Sequence, residues 1–271
     1  MRTVTSKDGT VIAFDQSGSG PAVILVDGAL QYRAFDQGMK QLADLLAQHF
    51  TVIHFDRRAR GDSTNAQSFP FDREDGLRRE IEDLEALIDE AGGSAFIYSI
   101  SSGAALAMEA AARLNGKIKK LAMYEAPYND DETARQAWKD YTRQLEDLLK
   151  DDRKGDAVGL FMMLVGASAD DVAGMRQHPM WPLWESAAPS LAYDHIAALP
   201  EDSSVPVETA AWVKVPTLVM TGSATYPFTH ESAKTLATVI PHAEHRVLEG
   251  QTHEVDSQAL APVLIEFFKS E

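Results

Sequence analysis

Ser99-Ile100-Ser101-Ser102-Gly103 follows the apolar run Phe96-Ile97-Tyr98 and precedes Ala104-Ala105-Leu106-Ala107-Met108-Glu109-Ala110, a segment of strong helix formers. A strand that turns sharply into a helix, with a serine at the turn and small residues two before and two after it, has the pattern of a nucleophile elbow. The serine of such a turn sits at positive φ, where bulk at either flank would collide with the neighbouring helix or strand. Spacing separates the three serines. Ser101 has Ser99 before it and Gly103 after it, whereas Ser99 would be preceded by Ile97 and Ser102 by Ile100. Ser101 is therefore the candidate nucleophile. The competing reading is an ordinary strand-to-helix turn whose serines cap the helix.

Outward from this turn the chain alternates. Val11-Ile12-Ala13-Phe14 is expected to form an early edge strand, closed by the turn Ser17-Gly18-Ser19-Gly20-Pro21. Ala22-Val23-Ile24-Leu25-Val26 is continuously apolar, as a strand buried on both faces of a parallel sheet must be. Met39, Leu42, Leu45 and Leu46 recur at helical spacing before the strand Thr51-Val52-Ile53-His54-Phe55, and Ile81, Leu84, Leu87 and Ile88 mark a second helix ended by Gly92-Gly93. The helix after Ser101 is expected to close at Asn115-Gly116, and Lys119 to Tyr124 form a strand ending at Glu125-Ala126-Pro127. This alternation predicts a mostly parallel sheet with helices on both faces and ligands at the carboxyl ends of its strands.

From about Asp130 to about Val213 the alternation stops. Trp138, Tyr141, Leu145, Leu148 and Leu149 outline one long helix, Val158 to Val165 a shorter apolar one, and Trp181-Pro182-Leu183-Trp184 a third. Helices inserted here predict a cap over the active-site face, residues 130–213, on a core of residues 1–129 and 214–271. Strands return at Pro216 to Gly222 and His245 to Gly250, with helices at Ser232 to Ile240 and Leu260 to Lys269.

Composition narrows the chemistry. With no cysteine among 271 residues, disulfides, thiolate metal sites and cysteine nucleophiles are excluded. No apolar leader or spanning run occurs, which predicts a soluble, cytoplasmic chain. A net charge of −16 would repel nucleic acid and anionic membrane surfaces. No nucleotide fingerprint or metal-spaced cluster of His, Asp and Glu is present, so no cofactor or metal is expected. Oligomeric state is not written in these residues.

A serine hydroxyl needs a base. Of eight histidines, His253, in Gly250-Gln251-Thr252-His253-Glu254 after the last strand, lies at the same sheet edge as Ser101, while His54 on its apolar strand fits a core residue. The usual place for a carboxylate to orient that base is the loop Gly222-Ser223-Ala224-Thr225-Tyr226-Pro227, where the expected position holds Thr225. Glu125, at the end of the strand after the elbow helix, is the alternative acid; its competing reading is a partner for Arg58 or Arg60, or an anchor for the cap. Two backbone donors are expected for an oxyanion: the amide of Ser102 at the helix start and that of Ala29, in a loop that Gly28 lets turn inward. Asp56 to Ser63, with three arginines, fits a structural turn braced by Asp–Arg pairs better than a phosphate site. Leu30, Met162, Trp181 and Trp184 are candidate pocket residues for an apolar substrate, or simply packing.

Together these signals resemble the α/β-hydrolase superfamily over essentially the whole chain. The carriers are Asp27-Gly28 after the third strand, Asp56-Arg57-Arg58-Ala59-Arg60-Gly61-Asp62-Ser63 after the fourth, Ser99 to Gly103 after the fifth and Gly250-Gln251-Thr252-His253 after the last. The resemblance implies an α/β-hydrolase fold with a helical cap between the sixth and seventh strands, Ser101 as nucleophile, His253 as base, and Ala29 and Ser102 as oxyanion donors. Some branches, including haloalkane dehalogenases and hydrolases of resorcylic mycotoxin lactones, place the acid after the sixth strand, and Glu125 matches that arrangement. A dehalogenase needs an aspartate nucleophile, against which Ser101 argues. Departures from the family pattern are Asp27 for the common histidine, Ser99 for glycine and Thr225 for the usual acid. The expectation is a cofactor-free serine hydrolase of a small, fairly apolar ester or lactone; a C–C hydrolase or perhydrolase of the same fold, or a non-catalytic binding protein, are the alternatives.

Overall fold

In the computed structural model, which describes residues 1–114 and 116–270, one eight-stranded sheet carries the chain. The strands are β1 (Arg2–Thr5), β2 (Val11–Gly18), β3 (Ala22–Val26), β4 (Thr51–Phe55), β5 (Ala95–Ile100), β6 (Ile118–Tyr124), β7 (Thr217–Gly222) and β8 (Ala243–Leu248). Their order is β1-β2-β4-β3-β5-β6-β7-β8, antiparallel at β1·β2 and β2·β4 and parallel elsewhere.

β3 is buried at every residue, and alternation along it sorts side chains between two layers. Val23 and Leu25 pack with Met39, Leu42 and Leu46 of α1 (Gln37–Leu46) and with Leu260, Leu264 and Phe268 of α10 (Ser257–Lys269). Ile24 and Val26 face the opposite layer, with Leu84 and Leu87 of α2 (Arg73–Glu90) and Leu106 of α3 (Ser102–Arg113). Between β6 and β7 stand α4 (Glu132–Lys150), α5 (Lys154–Leu164), α6 (Ala169–Met175), α7 (Trp181–Ala187), a 3₁₀ turn, a π-helical turn Ala192–Ala197 and α8 (Val207–Trp212); α9 (Pro227–Val239) follows β7.

Four sequence expectations need correction. Val11–Phe14 is not an edge, because β1 pairs outside it; Arg2–Thr5 has one apolar residue, Val4, among three charged or hydroxylated ones and so gave no apolar run. β2 runs on through Gly18, shortening the following turn. α6 was missed because its start is written in a cap, Ser168 and Asp171 bonding reciprocally, and not in an apolar stripe. α9 starts earlier than Ser232, at Pro227, whose missing N–H costs nothing in a first turn. The expected close of α3 falls on Asn115, which lies outside the described residues.

Candidate active site

Ala29, Leu30, Ser101, Ser102, Glu125 and His253 follow the carboxyl ends of β3, β5, β6 and β8, whereas Met162, Trp181 and Trp184 lie on α5 and α7 of the insertion. Six non-glycine residues among those described have left-handed φ, and three of them, Leu30 (φ 57°), Ser101 (56°) and Glu125 (47°), follow the adjacent strands β3, β5 and β6. Such conformations persist only where surrounding contacts enforce them. At Ser101 the enforcement is visible. Its amide donates to the Tyr124 carbonyl (3.0 Å), and α3 leaves so close to β3 that a Cβ on Gly103 would stand 2.4 Å from the Asp27 carbonyl oxygen. Ser99, fully buried where glycine is usual, is tolerated because its hydroxyl donates to the Ala122 carbonyl (3.2 Å). The Ser101 hydroxyl makes no cap hydrogen bond to α3, so the helix-capping reading of this turn does not hold.

Glu125 and His253 are brought into contact. His253 Nδ1 lies 2.7 Å from Glu125 Oε2. The same oxygen accepts from the Thr225 hydroxyl (2.9 Å), and Oε1 accepts from the Gly222 amide (2.9 Å). Thus Thr225, standing where the acid is usual, donates to the carboxylate that arrives from β6. Among the described residues no arginine bonds to Glu125: Arg58 pairs with Asp8 and Asp83, and Arg60 with Asp194. Burial pushes the Glu125 carboxyl up, yet the hydrogen bonds from His253, Gly222 and Thr225 outweigh it and hold it below the usual carboxylate range. The Tyr124 hydroxyl donates to the Thr252 carbonyl (2.5 Å), pinning the histidine loop to β6. The Glu125 side chain is buried and His253 is 40% exposed, so the imidazole faces outward from a buried carboxylate.

The loop after β3 folds over Ser101. A Cβ at Gly28 would sit 3.0 Å from the Ser101 Cβ and 2.8 Å from Gln31 Oε1, so only glycine fits without displacement. The Gly28 amide is taken by Gln31 Oε1 (3.0 Å). Among the described residues no acceptor is present for the amide of Ala29, next in that loop, or for that of Ser102, first in α3. Two donors without partners and a helix N-terminus, all beside one serine, make a place where negative charge would be stabilised.

Residues 23–258 match the alpha/beta hydrolase family. The chain belongs to that family. An alpha/beta hydrolase from Sphaerobacter thermophilus DSM 20745 is 47% identical over 99% of this chain and 100% of its own, with a TM-score of 0.84. The fold is shared at lower identity with a thermophilic esterase from Thermogutta terrifontis (20% identical, 99% and 97% covered, TM-score 0.71) and with the enol-lactonase from Burkholderia xenovorans LB400 (17%, 99% and 100%, TM-score 0.70). No helix among the described residues is long and apolar enough to cross a membrane, and no group of three or more His, Asp or Glu is placed to hold a metal ion.

Behind the elbow of this hydrolase lies a buried network of charge. His54 Nε2 meets Asp27 Oδ2 (2.9 Å), as expected of a satisfied core histidine. Arg57 grips Glu80 through two bonds of 2.8 Å, and Asp56 accepts from Arg33, so Asp56 to Ser63 is the braced turn the sequence predicts. Asp194, from the π-helical turn of the insertion, had no signal in the sequence. It is fully buried and receives Arg57, Arg60 and the Ser102 hydroxyl. Leu30 and Trp181 are buried in one apolar cluster, against which Met162 and Trp184 pack. Trp184 meets Phe35 edge-on at 5.7 Å, joining the insertion to the loop after β3.

Proposed function

We propose that this hydrolase cleaves a small, fairly apolar carboxylic ester or lactone through an acyl-enzyme on Ser101, with the helical insertion as its cap. The observation that carries the reading is the 2.7 Å contact of His253 Nδ1 with Glu125, at the strand edge where Ser101 is held in a left-handed turn. Glu125 keeps the Nδ1–H tautomer of His253, which leaves Nε2 free to accept a proton. Ser101 Oγ bonds to the acyl carbon as its proton passes to Nε2, and the carbonyl oxygen, now anionic, is received by the Ala29 and Ser102 amides. Collapse breaks the bond to the alkoxy oxygen, which leaves as an alcohol with the proton from His253. Water then adds to the acyl carbon, giving its proton to His253, and the acid departs as Ser101 recovers its hydrogen. For a lactone the leaving alcohol stays tethered to the acid. No cofactor enters any of these steps.

The test is intact mass after exposure to a fluorophosphonate, with peptide mapping. A single adduct on Ser101, absent from Ser101→Ala, supports an activated serine. A wild-type protein that gains no mass overturns the hydrolytic reading in favour of a binding protein.

A further inference from the structure

We infer that Asp194 is a positioning residue: the insertion uses this one carboxylate to set both halves of the oxyanion site, an inference that rests on the serine-hydrolase reading above. The observation is a convergence of bonds across long stretches of chain. Asp194 Oδ1 accepts from the Ser102 hydroxyl (2.8 Å) and from Arg57 Nη1 (2.6 Å), and Oδ2 accepts from Arg60 Nη2 (2.8 Å). Ser102 supplies one candidate oxyanion amide, so its side chain ties that donor directly to the insertion. The two arginines reach the other donor. Arg60 Nη1 donates to the Gly28 carbonyl (2.8 Å) and to that of Gln31 (3.3 Å), while Arg57 Nη1 donates to the Asp27 carbonyl (3.1 Å). Ala29 thus lies in a loop whose carbonyls on both sides are held by two guanidinium groups that Asp194 joins, that of Arg57 being gripped by Glu80 as well.

Three further features fit a device and not incidental packing. Asp194, Arg57 and Arg60 are each at most 2% exposed, so their geometry is not loosened by water. Asp194 sits in a π-helical turn, a departure from regular winding of the kind found most often at functional sites. The acid is also separate from the His253–Glu125 pair, with which it shares no hydrogen bond among the described residues. Acid–base chemistry and oxyanion placement therefore have independent supports, the first within the core and the second borrowed from the insertion.

The prediction is a selective loss. A donor displaced by a fraction of an ångström no longer meets the developing charge, whereas ground-state binding in an apolar pocket is little affected. Ser102→Ala removes the hydroxyl's bond to Asp194 and the longer one it accepts from Arg57 Nη1 (3.3 Å), and keeps the amide and both arginines; Asp194→Asn removes the charge. With p-nitrophenyl butyrate as probe, we expect kcat to fall about 10-fold in Ser102→Ala and about 100-fold in Asp194→Asn, with KM within threefold of wild type. Affinity for an alkyl trifluoromethyl ketone, whose adduct on serine carries the oxyanion, should fall in step with kcat. The acid limb of the pH–rate profile should stay where it is, because His253 and Glu125 are untouched. Arg73→Gln is the control for general loosening. Arg73 Nε, at the start of α2, donates to the Leu199 carbonyl (2.9 Å), a tie to the insertion that does not reach the oxyanion loop; its loss should lower Tm and leave kcat in place. The inference is overturned if Ser102→Ala keeps kcat within threefold, if KM rises while kcat and ketone affinity hold, or if Arg73→Gln loses kcat as Ser102→Ala does. Should Asp194→Asn not fold, Ser102→Ala and its ketone affinity still decide. If wild type is not labelled by a fluorophosphonate, the serine-hydrolase reading falls first and takes this one with it; if wild type is labelled and the variants keep full rate, only the clamp falls.

Discussion

Glu125→Gln tests the least usual part of the site. The carboxylate accepts from three donors: His253 Nδ1 and the Thr225 hydroxyl on Oε2, and the Gly222 amide on Oε1. A glutamine of the same shape has one acceptor and one NH₂. Turned one way, its NH₂ faces Gly222 N–H; turned the other, it meets Thr225 and forces the Nε2–H tautomer on His253, which cannot accept the serine proton. The charge matters too. With centres about 4 Å apart and an effective dielectric near 20, the carboxylate would stabilise the imidazolium of the proposed transition state by about 4 kcal/mol. Because His253 is 40% exposed, water recovers part of that, leaving about 3 kcal/mol, or a fall of roughly 10²- to 10³-fold in kcat. The assay is kcat and KM on p-nitrophenyl butyrate alongside the rate of fluorophosphonate labelling, with circular dichroism to verify folding. Thr225→Asp added to this variant places a carboxylate at a position whose hydroxyl lay 2.9 Å from the lost one, and should restore at least tenfold. A folded Glu125→Gln protein within threefold of wild type would refute the assignment of the acid.

Two other perturbations follow from the same geometry. Tyr124→Phe frees the Thr252 carbonyl, an exposed acceptor that water can satisfy, so Tm should drop by about 2–4 °C for a bond worth about 1 kcal/mol while kcat falls about 10-fold as His253 loosens; an unchanged kcat would show that the loop holds itself. His195, bonded to the Tyr141 hydroxyl at 2.7 Å, has its pKa depressed from 6.5 to about 4, first by burial and then by Arg57 and Arg60. The folded form disfavours the charge, so its contribution is complete above 6.5 and is lost as pH falls towards 4. Between pH 7 and 5 wild type should lose about 2 kcal/mol that His195→Gln does not, read from urea unfolding at the two pH values; parallel losses in both proteins would place the titration elsewhere.

The strand edge was legible because local sequence writes it. Small residues flanking Ser101, the apolar run of β3, and His253 just past β8 each follow from what a turn or a doubly buried strand will accept. Glu125 was legible as an acid at a strand end, and its partner only by elimination among histidines. Asp194 left no trace, since its bonds to Arg57 and Arg60 span 137 and 134 residues and form only when the insertion has folded back over the sheet. The role of Thr225 was hidden for a similar reason. A threonine in a loop has no pattern, and its bond to Glu125, 100 residues away, depends on the parallel pairing of β6 with β7. Arg57 and Arg60 were visible as residues of a braced turn, but the carboxylates that brace them lie on α2 and in the insertion.

An acid carried by β6 has a consequence for modularity. Glu125 stands only a few residues before the insertion begins, and the backbone between is already shared, with the Asn129 amide donating to the Ser203 carbonyl (2.9 Å) and Asp130 Oδ1 accepting from the Val205 amide (3.0 Å). In a fold whose acid follows β7, the whole segment between β6 and β7 could be exchanged as a cassette without touching that carboxylate. Here a graft that imports a foreign insertion must keep Glu125 to Tyr128 with the host core and splice at Asn129. It must also bring a carboxylate to meet Arg57 and Arg60, or leave the buried Arg60 without a carboxylate and Arg57 with Glu80 alone. Recombination at this junction is thus constrained from both sides.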